Sequence, residues 1–137
     1  ESEINNYDIF ILPPNSIDVL KEKNIFFDFI INSRSFMEME KKTISEYFTY
    51  IQNKLNVNGH FLNINRYIKS VVEDDIYFKD YPYDDFWDVI ISEESFLQNH
   101  VHFFLTQRTK NKKDVIKQTL KNLPEVKNNI KKFKFFN

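Results

Sequence analysis

Cysteine is absent from this chain, alanine is absent too, and Gly59 is the one glycine. Without cysteine there is no disulfide, no thiolate nucleophile and no Cys-based metal site. Loops that cradle phosphates or adenosine need glycine for positive φ and close backbone approach, so one glycine excludes both a P-loop and a Gly-x-Gly-x-x-Gly turn. No apolar run reaches the roughly 20 residues of a membrane helix. The longest, residues 24–31, is broken by Asp28. The opening Glu1-Ser2-Glu3 is polar and acidic, unlike a signal peptide, which leads us to expect a soluble, cytoplasmic protein. The chain opens on Glu1 rather than Met, as a fragment or a processed protein would.

What is present supports a folded unit. At 137 residues there is room for one compact domain; 42% hydrophobic residues can form a core, and the composition is not that of a disordered tract. The net charge of −1 conceals an asymmetry. From Gln107 onward, Arg108 and nine lysines face Asp114 and Glu125, whereas residues 1–106 carry 9 basic and 18 acidic groups. An acidic body and a basic tail attract one another, the simplest use of such a pattern.

Apolar runs and periodicities give the element order. Asp8 to Leu12, stopped by Pro13-Pro14, reads as a strand, and Asn15 or Ser16 can cap a short helix through about Lys23. Residues 25–32 form the strongest strand signal, β-branched and aromatic throughout. Ile44, Tyr47, Phe48, Ile51 and Leu55 then fall at helical spacing, predicting a helix over about 41–56 that ends at Asn58-Gly59. Strands follow at 60–65, 87–92 and 101–107, with a polar, aromatic stretch from Tyr67 to Trp87. Ile116, Leu120 and Leu123, and then Val126, Ile130 and Phe133 beyond Pro124, make two amphipathic pieces. The alternation predicts an α/β fold with a mostly parallel sheet, an antiparallel terminal strand and C-terminal helices.

The segment from Phe27 to Met39, an apolar strand ending in Asn, a serine-containing turn, then Glu-Met, resembles the central motif of the sugar O-methyltransferase family. Residues 44–48, Gly59 to Tyr67, Tyr81-Pro82-Tyr83 with Trp87, and Gln98 with His100 are similar to later family features in the same order. Ile11 to Pro14 is similar to the strand before. The resemblance covers roughly residues 8–108. It implies the C-terminal half of a Rossmann-like, class I S-adenosylmethionine-dependent methyltransferase sheet over residues 1–108, with residues 109–137 as a basic amphipathic helical tail. It also implies S-adenosylmethionine as the methyl donor of a complete enzyme. The glycine-rich donor loop of that family is not visible, so this chain alone is not expected to bind the donor or to be active.

Methyl transfer to a sugar hydroxyl needs alignment, a base and a dry pocket, and ligands of open α/β sheets bind beyond the carboxyl ends of strands. On that rule Asn32, Ser33 and Arg34 are the candidate cofactor contacts, and Asn63, Asn65, Arg66 and Tyr67 the candidate contacts to a sugar, nucleotide-sugar or glycan acceptor. Asn63 and Asn65 share a strand face and need a ligand or a hydrogen-bonded network. Tyr83 and Trp87 offer faces on which sugars stack, and Gln98 a further acceptor contact. Glu38 and His100 are the candidate bases. Each has a plainer reading: a turn-bonding Asn, a surface ion pair for Arg34, a helix-start acid for Glu38, a packed His, aromatics pinning a loop. His60, His100 and His102 lack metal-ligand spacing, so no metal is expected. The competing class is a non-enzymatic binding or oligomerisation module using the basic tail with Phe133, Phe135 and Phe136. The acidic body disfavours nucleic acid, and the apolar spacing of the tail favours covering a sheet edge or forming a homo-oligomer.

Overall fold

A computed structural model of the protein describes residues 24–70, 75–96 and 98–124. The expected strand at 8–12, the helix after it and the piece beyond Pro124 lie outside these residues. The described chain runs β1 (Phe27–Ser33), a 3-10 turn (Phe36–Glu38), α1 (Lys41–Lys54), β2 (Leu55–Arg66), β3 (Ile68–Lys69), β4 (Ile76–Tyr77), a second 3-10 turn (Phe78–Asp80), β5 (Trp87–Ser95), β6 (Gln98–Arg108) and α2 (Val115–Lys121).

The four long strands form one sheet in the order β1-β2-β6-β5; β3 and β4 make a separate small ribbon. Among the described strands only β1 and β2 pair in parallel; β2 with β6 and β5 with β6 are antiparallel. This overturns the expected mostly parallel, Rossmann-like sheet: it is a mixed sheet, and its antiparallel strand lies inside rather than at the end. Two local facts account for the difference. Ser95 pairs with Gln98, so β5 and β6 are joined by a turn too short for anything but an antiparallel return. After β2 the chain supplies a ribbon and a 3-10 turn, leaving α1 as the one helical crossover between described strands.

α1 forms because Ile44, Phe48 and Ile51 recur on one side, and all three are buried. It stops at Lys54, before the expected end at Asn58-Gly59. Leu55 is already extended and paired with Phe27 of β1, so strand pairing claims the residues that local signals give to a helix end. Asn58 and Gly59 lie within β2 instead. Asn58, not the glycine, takes the left-handed conformation, with φ 69°. A Cβ on Gly59 would stand 2.9 Å from the Asn56 carbonyl oxygen and 3.1 Å from that of Asp28, so the glycine serves close backbone approach between β2 and β1.

The core fills the sheet face under α1. Phe36, Phe48, Phe61, Tyr81, Tyr83, Trp87 and Phe104 interlock with Ile44, Ile116 and Leu120. Phe48 meets Tyr83 edge-on at 4.7 Å between ring centres, the aromatic geometry that adds to simple burial. The opposite face is less covered: Phe29 and Ile31 are half-exposed there, beside Leu62, Ile64, Phe103 and Leu105. α2 buries Ile116 and Leu120 in the core, so the start of the basic tail is part of the packed unit. Lys117 and Lys112 meet Asp85, and Lys113 meets Asp88. Among the described residues no helix is long and apolar enough to cross a membrane.

Candidate functional site

The pairing brings the carboxyl ends of β1, β2 and β5 and the amino end of β6 to one end of the sheet. Asn32 pairs with Asn63 and Asn65 with His102, so three asparagines and a histidine form a polar band on the core-side face there. Asn63, Asn65 and His102 are buried. Such groups persist away from water only when hydrogen-bonded.

The partners are found side chain by side chain. Asn63 Nδ2 donates to the Tyr83 hydroxyl at 3.2 Å. Asn65 Nδ2 donates to Asn63 Oδ1 and, at 2.8 Å, to Asn32 Oδ1. Asn32 Nδ2 in turn donates to Ser35 Oγ. A relay of amides therefore runs from the core at Tyr83 to the surface at Ser35. Asn65 Oδ1, although buried, accepts no hydrogen bond among the described residues. Burial holds the Tyr83 phenol well above its ordinary pKa, so it stays protonated across the working range.

A second relay crosses β6. His102 Nδ1 lies 3.0 Å from the Tyr67 hydroxyl and its Nε2 3.0 Å from Ser92 Oγ. Desolvation lowers the His102 pKa to about 4, which keeps the ring neutral, and it raises that of Tyr67 with help from Glu94.

The rim beyond these bands is built by the β1 exit. Arg34 adopts φ 61°, a conformation costly for a side chain with a Cβ, while its N–H continues the ladder to the Ile64 carbonyl at 2.8 Å. The 3-10 turn that follows buries Phe36 and Met37, and the Arg66 N–H points at Met37 Sδ, 3.1 Å away, tying the two exits together. Arg34, Glu38 and Arg66 are exposed.

The residues singled out in the sequence thus separate into three groups. Asn32, Ser33, Arg34, Glu38, Asn63, Asn65, Arg66 and Tyr67 converge on one end, and Gln98 and His100 stand at the same end, with the His100 carbonyl accepting from the Tyr67 N–H at 3.1 Å. Tyr83 sits beneath, anchoring the amide relay. Trp87 is fully buried and pairs with Arg108 at the opposite end of the sheet, roughly 20 Å away at 3.3 Å per residue. Its indole N–H donates to Gln52 Oε1, and Arg108 stacks on its ring and binds Asp84 with both guanidinium ends. The aromatic loop is pinned to the sheet there and presents neither Tyr83 nor Trp87 to a ligand.

Met37 and Ser92 were not legible as site residues, because each acts through a neighbour on a different element that only the register supplies. No group of three or more His, Asp or Glu able to hold a metal occurs among the described residues. No protein-family model, no curated protein and no solved structure matches the chain.

Proposed function

We propose that this chain forms the acceptor-binding part of an S-adenosylmethionine-dependent sugar O-methyltransferase. The observation that supports it is the relay Tyr83–Asn63–Asn65–Asn32–Ser35 ending at a polar rim where the two parallel strands finish, the place where open α/β sheets take ligands. The motif resemblance at 27–39 and 59–67 falls on the same strand exits. With one glycine in the sequence, the described residues offer no glycine-rich seat for the donor. Gly59 lies at the other end of β2 and is committed to backbone packing, and no glycine-rich loop adjoins the rim. The work of these residues therefore concerns the acceptor: Asn32 and Ser35 orient a sugar oxygen, and an exposed carboxylate at Glu38 takes a hydroxyl proton.

Binding tests this reading directly. Saturation-transfer NMR of the chain with a panel of neutral hexoses, amino sugars, sugar acids and sugar phosphates should show transfer to at least one class. Transfer to none would refute the acceptor role. In a complete methyltransferase carrying this chain, Glu38→Gln should lower turnover about a hundredfold with donor affinity unchanged, the usual range for loss of a general base. Unchanged turnover would remove Glu38 from the reaction.

A further inference from the structure

The amide relay has a direction, and the direction restricts what the rim binds. Asn63 donates an amide N–H to the Tyr83 hydroxyl, and its Oδ1 accepts from Asn65 Nδ2. Asn65 spends its Nδ2 on two oxygens, those of Asn63 and Asn32. Asn32 therefore has its oxygen turned inward and occupied, and what it keeps toward the surface is N–H, one directed to Ser35. A primary amide has two N–H groups, so one remains for a ligand. The Asn63 and Asn32 oxygens are thus occupied within the fold, Asn65 Oδ1 receives no donor among the described residues, and at the outer end of the relay it is an Asn32 N–H that is left at the rim.

The charges at that end agree. Arg34 and Arg66, on neighbouring strand exits, are exposed; Arg66 leaves the last position of β2 on the face opposite Asn63 and Asn65, so it reaches the rim round the strand end, and neither guanidinium meets a carboxylate among the described residues. At the other end of the sheet four cations do meet carboxylates: Arg108 with Asp84, Lys112 and Lys117 with Asp85, Lys113 with Asp88. Glu38 is the exposed acid on the adjoining 3-10 turn, and Glu93 and Glu94 lie on β5, beyond β6 from the arginines. Guanidinium groups match the planar oxygens of carboxylate and the tetrahedral oxygens of phosphate, with charge-assisted bonds about twice as strong as neutral ones.

We propose that the rim binds an acidic sugar, a sugar carboxylate or sugar phosphate whose anion lies against Arg34 and Arg66 and whose ring oxygen or hydroxyl accepts from Asn32 Nδ2. The proposal rests on the acceptor role given above and narrows its substrate class. The test is a titration of the isotope-labelled chain, followed at the side-chain signals of Asn32, Arg34 and Arg66. The probes are glucuronate, glucose 6-phosphate, glucose and inorganic phosphate at matched ionic strength. One of the two acidic sugars should move all three signals and bind at least about tenfold more tightly than glucose and than inorganic phosphate, the effect of one added charge-assisted contact. Which of the two does so distinguishes carboxylate from phosphate. The double substitution Arg34→Gln and Arg66→Gln should erase that preference while the remaining spectrum is unchanged, because both side chains are exposed. Glucose binding equally well would overturn the acidic-sugar inference and leave the acceptor role standing. Inorganic phosphate binding as tightly as glucose 6-phosphate, with no response to glucuronate, would reduce the rim to an anion site and overturn the inference. No response to any sugar would overturn both.

Discussion

At Gly59 and His102, single side chains are set by what surrounds them rather than by their own preferences. Gly59 has no unusual φ; it is required by space, with the Asn56 and Asp28 carbonyl oxygens and Leu55 Cδ1 within 3.1 Å of where a Cβ would stand. Two of those three atoms are backbone and move only with a strand. Gly59→Ala should therefore destabilise the fold by about 1–3 kcal/mol, read as a lower urea midpoint with the slope unchanged. His102 makes a different prediction. Burial depresses its folded pKa from 6.5 to about 4, so between those values the unfolded chain takes up a proton that the folded chain refuses. Its contribution is whole above pH 6.5 and is lost as pH falls toward 4, by up to about 3 kcal/mol. Urea titrations across that window should show the decline. His102→Gln, which keeps hydrogen-bonding capacity toward Ser92 and Tyr67 without titrating, should flatten it.

Elements are held by their apolar faces, and ion pairs set orientation. α2 shows the division. Ile116 is fully buried among the core residues, whereas the lysines of the same segment pair with Asp85 and Asp88 at the surface. Lys117 and Lys112 hold the Asp85 carboxyl below its usual range, the hydrogen bond from Lys117 being the larger cause. Exposed pairs of this kind contribute little in water and are screened by salt. Ile116→Ala should cost about 2–4 kcal/mol, and Asp85→Asn should move the midpoint far less. A comparable loss from both in thermal melts at moderate salt would mean that charge docks α2. The acidic body and basic tail expected to attract one another do meet here, at the start of β5.

For the molecule as a whole, the sheet places two different ends. One gathers the asparagine and histidine relays and the exposed Arg34 and Arg66; the other is closed by Trp87, Arg108 and Asp84, with Asp85 and Asp88 holding the α2 segment. Neither end contains a glycine-rich loop, and the described sheet has one parallel junction. The chain by itself should bind S-adenosylmethionine weakly or not at all. Tight stoichiometric heat of binding in calorimetry would contradict this.

Much was legible in the sequence because it depended on near neighbours. The apolar run at 25–32 and the helical spacing of Ile44, Phe48 and Ile51 mark β1 and α1 within a few residues, since burying a stripe or a strand face demands that period. Asn63 and Asn65 announced a polar network by sharing a strand face. Sequence alone did not determine that Asn32 closes that network, that His102 lies between Ser92 and Tyr67, or that Trp87 turns into the far end of the core. It also read Asn58-Gly59 as a helix stop and the sheet as mostly parallel. These matters depend on strand register and order, which join residues from 10 to 35 positions apart on different elements. The free energy that selects them comes from pairing and packing between distant segments, so no local pattern carries it.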